Sequence, residues 1–254
     1  MGDQIEVRKL KKLPEESRWY YILNMVMGLP GVKVDRDRFL SEKFSKHADA
    51  EKTAAVVEKG TGKAGVPVEL LDDLAAGVIK SHKMMATGAS AAAGLPGGFG
   101  LIATVPADLA QYYFHALQVA QKLAYIYGYP DLEKSGKDDF LLSMTLFIGQ
   151  MNGIGIASSG IQEFSRVLTD PDAGEERLRR MALARGAIYP IVKQIARVLG
   201  VGITRDIFAR SLSKIIPGIG AIASGGLTLI AFSYEAERLR EGLRKDFLLQ
   251  MKND

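Results

Sequence analysis

The sequence predicts an all-α fold, a helical bundle with glycine-rich apolar helical hairpins that are able to enter a membrane. Apolar residues recur every three or four positions along most of the chain, which is the period of one helix face. No stretch alternates apolar and polar residues for long enough to make a strand. Prolines with nearby acids open the periodic stretches and glycines close them, as helix ends require.

The N-terminal stretch "MGDQIEVRKLKKLPEE" lacks the apolar core of a secretory signal. Glu6 stands where a myristoylation pattern needs Ser or Thr. A helix follows in "LPEESRWYYILNMVMGLPG", with Pro14 in its first turn, Glu15 and Glu16 behind it, and Gly28 and Pro30 as stops. Residues 67–86 carry Leu70, Leu71, Leu74, Val78 and Ile79 at helical spacing after Pro67. After "TVPADLAQ" a further helix begins, with Pro106 in its first turn and Asp108 suited to the dipole and free N–H groups there. "DPDAGEE", at 170–176, does not match a calcium loop and is expected to be a solvated turn leading into a helix. That helix puts Leu178, Met181, Ile188, Val192, Ile195 and Leu199 on one side. Pro190 should kink or divide it, and Gly200 should end it. The tail "AERLREGLRKDFLLQMK" is amphipathic through Leu239, Leu243, Phe247 and Met251.

Charge is partitioned along the chain. Residues 1–83 carry 28 charged side chains and residues 164–254 carry 25, whereas the 80 between carry nine. This separates a charged N-terminal helical region, 1–64, from a helical domain over 65–254. Three segments, 84–107, 140–162 and 215–234, have no charge at all. Each is about the ~20 residues a helix needs to cross a bilayer. They are rich in Gly, Ala, Ser and Thr, and the first and third are interrupted by Pro96 and Pro217. On a helical wheel Gly149, Gly153, Ala157 and Gly160 form one small-residue ridge, and Ala221, Ser224, Gly225 and Thr228 form another. Such ridges let helix backbones approach closely, in lipid or inside a soluble bundle.

Asp108, Gln111, His115, Gln118 and Lys122 lie along one seam of an otherwise greasy helix. A solvated face is the favoured reading of such a seam. The sharper one turns it inward, so that Asp108 and His115 line a polar cavity and stand as candidate catalytic groups for a hydrolase. Two helical turns separate them, too far for direct contact, so no Ser–His–Asp triad is encoded locally. Other motifs fail on context. "GLPGGFG" follows no strand. "EKGTGKAG" has Val57 and Ala64 where a phosphate loop needs Gly and Ser or Thr. "GASAA" lacks the last glycine of a nucleophile elbow. His47, His82 and His115 show no metal-ligand spacing, and the absence of cysteine removes disulfides and zinc–sulfur sites. No metal or cofactor is expected.

Three pieces of the chain resemble the EcsC family: a glycine-rich apolar stretch meeting an Ala-Asp pair, a Tyr-Gly-Tyr turn with an acid after it, and a Pro-Gly apolar stretch before an amphipathic tail. Here these fall on Gly94, Pro96, Gly97, Gly100, Ala107 and Asp108; on Tyr127, Gly128, Tyr129 and Asp131, with Pro130 before the acid; and on Pro217, Gly218 and Gly220. The likeness covers roughly residues 65–245. The founding member is encoded beside an ABC transporter, so the resemblance implies a bacterial, membrane-linked protein and transfers no catalytic residue.

The net charge of +4 lacks the clustering with aromatics that nucleic-acid binding needs. It suits an anionic membrane surface better, met by Arg8, Lys9, Lys11, Lys12, Arg238, Arg240 and Arg244. The expectation is a non-enzymatic helical protein, at or partly within the cytoplasmic face of the membrane and accessory to a membrane or transport process. A membrane surface, a membrane protein or a second copy of the chain are the partners implied. A pore-forming effector held soluble until triggered is the alternative from another class.

Overall fold

The computed structural model describes residues 12–86, 107–169, 175–213 and 220–252, and among them there are nine helices and no strand. The all-α expectation is met. In chain order they are α1 (Glu15–Met27), α2 (Arg36–Phe44), α3 (Ala50–Lys59), α4 (Val68–Ala86), α5 (Ala107–Ile126), α6 (Lys137–Met151), α7 (Ile156–Leu168), α8 (Glu175–Ser213) and α9 (Gly220–Gln250).

The local signals act where they stand. Pro14 precedes α1, and Gly28 closes it with its N–H on the carbonyls of Asn24 and Met25. The Asp35 side chain caps α2 by accepting the Arg38 N–H at 3.0 Å, and Asp49 caps α3 through Lys52 at 2.7 Å. Gly60, at φ +83°, ends α3 in the left-handed region that glycine occupies without steric cost. Gln121 of α5 stitches the loop after α1 to the bundle, accepting from Val34 N–H at 3.0 Å and donating to the Val32 carbonyl at 2.9 Å.

One hydrophobic core runs through the molecule and draws on both sides of residue 64, from Trp19, Leu40 and Val56 to Tyr125, Phe147, Ile188 and Phe232. The uncharged stretch 140–162 lies in it. It is not a single helix: Gly153, at φ +71°, reverses the chain between α6 and α7, and the hairpin is folded back on itself. The small-residue ridge therefore works differently from the expectation. Gly153 belongs to the turn. Gly149, Ala157 and Gly160 hold the hairpin against α8, since a Cβ on Gly149 would come within 2.6 Å of Ile195 and one on Gly160 within 2.5 Å of Leu146 and 3.2 Å of Ile191. Ala221, Ser224, Gly225 and Thr228 lie on the helical backbone of α9, and their side chains fall outside the described part of the structure.

Two further expectations are corrected in α8 and α9. Pro190 neither divides nor ends α8, which runs unbroken through it and through Gly200 to Ser213. Proline deprives the carbonyl four residues earlier of its partner. That residue is Gly186, which is exposed, so its carbonyl is left open to solvent. Gly200 instead lets α1 touch α8, because a Cβ there would overlap the backbone of Glu15. α9 is one helix from Gly220 to Gln250, joining the end of the third uncharged stretch to the amphipathic tail.

Two buried polar groups tie distant helices together. Trp19 donates its indole N–H to Thr145 at 2.9 Å. Asp139, almost fully buried in the first turn of α6, takes Arg185 of α8 in a two-point contact at 2.6 and 2.7 Å.

Candidate functional site

The seam on α5 faces the bundle rather than open water. His115 is buried, while Gln111, Gln118 and Lys122 are half-buried beneath α2 and α4. From α4, His82 enters the same layer with no exposed surface and sets its Nδ1 3.3 Å from Nδ1 of His115, the rings edge to face. Lys122 Nζ lies 2.8 Å from His82 Nε2. An ammonium only donates, so His82 Nε2 accepts and its proton sits on Nδ1, pointing at His115; the tautomers follow from that network. Burial, followed by the charges of Lys122, His115 and Lys43, drives His82 down to about 2. Burial and then Lys122 bring His115 to about 4. Burial, then Lys43, bring Lys122 down to about 8, with Glu42 opposing. At neutral pH the histidines are uncharged, and Lys122 is still mostly protonated but a stronger acid than a free lysine. Lys122 also lines a pocket of about 390 Å³ between α2, α4 and α5, with Asp35, Arg38, Glu42, Lys43, Ser81 and Gln118 among its walls.

Asp108 is in the first turn of α5, and its side chain lies outside the described part of the structure. Among the described residues the hydrogen-bond partners of this layer are bases rather than a hydroxyl and a carboxylate. The His82–His115 contact spans 33 positions of sequence, which spacing rules do not reach. The available signal was the seam itself, since a buried polar stripe needs polar partners on the helix that covers it.

The Tyr-Gly-Tyr turn ends α5, with Gly128 at φ +86°. Tyr127 donates to Asp72 at 2.8 Å, and Tyr129, fully enclosed, donates to Asp246 at 3.2 Å. Burial, then those carboxylates, push both phenols upward. Burial also raises Asp246, against hydrogen bonds from Ser165, Tyr129 and Gln250. The buried Arg36 holds the Tyr129 carbonyl at 3.1 Å, and Thr61 holds that of Ile126 at 2.9 Å. Asp131 caps its own loop, accepting from Glu133 N–H at 3.0 Å. Tyr127, Gly128 and Asp131 of the motif, with Lys59, Lys63 and Arg166, line an open cleft of about 720 Å³. Of the other motif positions, Ala107 and Gly220 begin α5 and α9, while Gly94, Pro96, Gly97, Gly100, Pro217 and Gly218 lie outside the described residues.

Three of the cations expected to meet lipid also make contacts within the chain. Arg244 binds Asp72 at 2.8 Å and Arg240 reaches the same carboxylate at 3.4 Å. Arg238 lies across Gly153 and donates to the Met151 carbonyl at 2.7 Å, closing the end of α6. Lys12 is exposed, and Arg8, Lys9 and Lys11 fall outside the described residues.

Among the described residues, α8 carries more exposed large apolar side chains than any other helix. Leu178, Leu183, Tyr189 and Val198 are 72%, 66%, 61% and 48% exposed. Arg179, Arg180, Arg185, Lys193 and Arg197 share this stretch, and it contains no acid. Leu178–Ile203, 26 residues with an 18-residue window of mean hydropathy 1.2, is long and apolar enough to cross a membrane by length and composition alone, with 39% of that window buried. Its inner side is packed, through Ile188, Val192, Ile195 and Leu199. Compared with protein families, with curated proteins and with solved structures, the chain matches none.

Proposed function

We propose that this chain is a non-enzymatic bacterial protein of the EcsC kind that lies on the cytoplasmic face of the membrane, accessory to a membrane or transport process, and docks through the outer face of α8. The carrying observation is four large apolar side chains left exposed along residues 178–203 of one helix, a stretch with five cations and no acid. Burying one such side chain contributes ~1.5–3 kcal/mol, and a cation near an anionic surface adds ~1 kcal/mol. Lys193 and Arg197 both lean toward the single carboxylate of Glu16, at 3.7 and 3.6 Å, which leaves positive charge in surplus on that face. The helix lies flat in this arrangement because its other side is committed to the core.

Flotation with vesicles tests this. At low salt the protein is expected to rise with phosphatidylglycerol vesicles and to stay behind with phosphatidylcholine alone. Replacing Leu183 and Tyr189 together by Ser is expected to abolish most of the flotation. A wild-type protein that stays in the soluble fraction with anionic vesicles ends the membrane reading.

A further inference from the structure

The pocket between α2, α4 and α5 has a charge imbalance that its own residues leave open. Its acids are engaged: Asp35 caps α2, and Glu42 takes the Arg38 guanidinium at 2.7 Å. Lys33 is held by Glu133. Lys43 from α2 and Lys122 from α5 therefore line the pocket without a carboxylate in ion-pair range among the described residues. Lys122 leans on a base, His82, and His82 leans on another, His115. Lys122 and the two imidazoles, with Lys43 lining the same pocket, make a layer in which neither lysine has an ion pair among the described residues, Glu42 acting on Lys122 only from a distance.

An unpaired buried cation is costly, and proteins remove the cost by neutralising the group or by placing an anion beside it. Burial has half-completed the first route at Lys122. The second is open, because a pocket of about 390 Å³ lies against the two lysines, within the size range of small-molecule sites. Two cations lining one pocket from different helices match a dianion better than a carboxylate, which neutralises only one of them. Compact ammonium groups serve phosphate well as point charges.

We propose that this pocket binds a phosphate dianion, free or as a phosphomonoester, held by Lys43 and Lys122 with His82 buttressing Lys122 from behind. The site lies on α2, α4 and α5, away from the outer face of α8, and does not depend on how that face is used. Binding restores the full proton to Lys122, so at pH 8.5 it takes up a fraction of a proton from the buffer.

Titration calorimetry and thermal unfolding, with sodium phosphate and glycerol 3-phosphate against chloride at equal ionic strength, test the proposal. Both phosphates are expected to raise the unfolding midpoint saturably. At pH 8.5 the heat should differ between buffers of different ionisation enthalpy, and Lys43→Met should weaken binding at least tenfold. Lys43 is the useful variant, since it sits at the pocket mouth and its loss leaves the core intact; Lys122→Met, if it folds, removes the effect altogether. A second arm compares vesicles containing phosphatidic acid, whose headgroup is a phosphomonoester, with phosphatidylglycerol vesicles. Lys43-dependent preference for phosphatidic acid, with no response to the soluble phosphates, makes the headgroup the source and supports the site. No saturable response in either arm, or unchanged affinity in Lys43→Met, overturns it.

Discussion

Residues 140–162 and residues 178–203 both invite a membrane assignment, and they sit in opposite surroundings. The first stretch has no charge, yet it is folded into the α6–α7 hairpin and enclosed. Its hydroxyls are returned to its own backbone, Ser143 to the Asp139 carbonyl and Thr145 to that of Leu141, each at 2.8 Å. The second carries five cations and still leaves leucine, tyrosine and valine facing outward. Lack of charge thus marks what the protein hides from water. Apolar groups left exposed along a stretch with cations in excess mark what it offers to a surface. The glycines explain part of the contrast: small residues let the hairpin close on α8, whereas Leu178, Leu183, Tyr189 and Val198 of α8 are exposed among the described residues.

Substitutions can break or sharpen this contrast. The largest effect is expected where the two regions are tied together. Arg185→Met leaves the buried Asp139 carboxylate without its partner and should cost about 3–5 kcal/mol, read as a lowered urea midpoint. Gly160→Val drives a side chain into Leu146 and should cost about 1–3 kcal/mol by the same measurement. Vesicle binding, normalised to folded protein, should be unchanged in that variant. An unaltered midpoint would mean that the hairpin is not packed against α8 as described. Leu183→Ser with Tyr189→Ser should shift stability by under about 0.5 kcal/mol, both sites being open to solvent, while removing flotation. Comparable losses of stability in all three variants would erase the distinction between the regions.

The helices were legible in the sequence because their signals are local. Periodic leucines, Pro14 and Gly28 acted within their own turns, and the glycines at 149 and 160 announced a close approach before its partner was known. Two kinds of fact were not legible. A glycine or proline says little about whether a helix stops when the neighbouring surface decides, as Gly200 beneath Glu15 and Pro190 above the exposed Gly186 illustrate. Charge partners distant in sequence are equally hidden. Arg240 and Arg244 look free for lipid until α9 is laid beside Asp72 of α4, 168 and 172 positions away. The candidate pocket was half visible, as a seam on α5; the histidine that completes it comes from another helix.

The uncharged histidine pair makes the joint between α4 and α5 acid-labile. Inside the fold both rings titrate far below the 6.5 expected of a free side chain, so on acidification the unfolded chain collects protons that the native state refuses. Native stability should hold at pH 7 and drain away from pH 6.5 toward pH 4, by up to about 1.4 kcal/mol per pH unit for each ring. His82→Gln combined with His115→Gln should flatten that decline in a pH series of unfolding midpoints. Since α4 and α5 flank residues 87–106 in the chain, a compartment a few pH units more acidic would loosen the stem that brackets the longest uncharged stretch of the molecule.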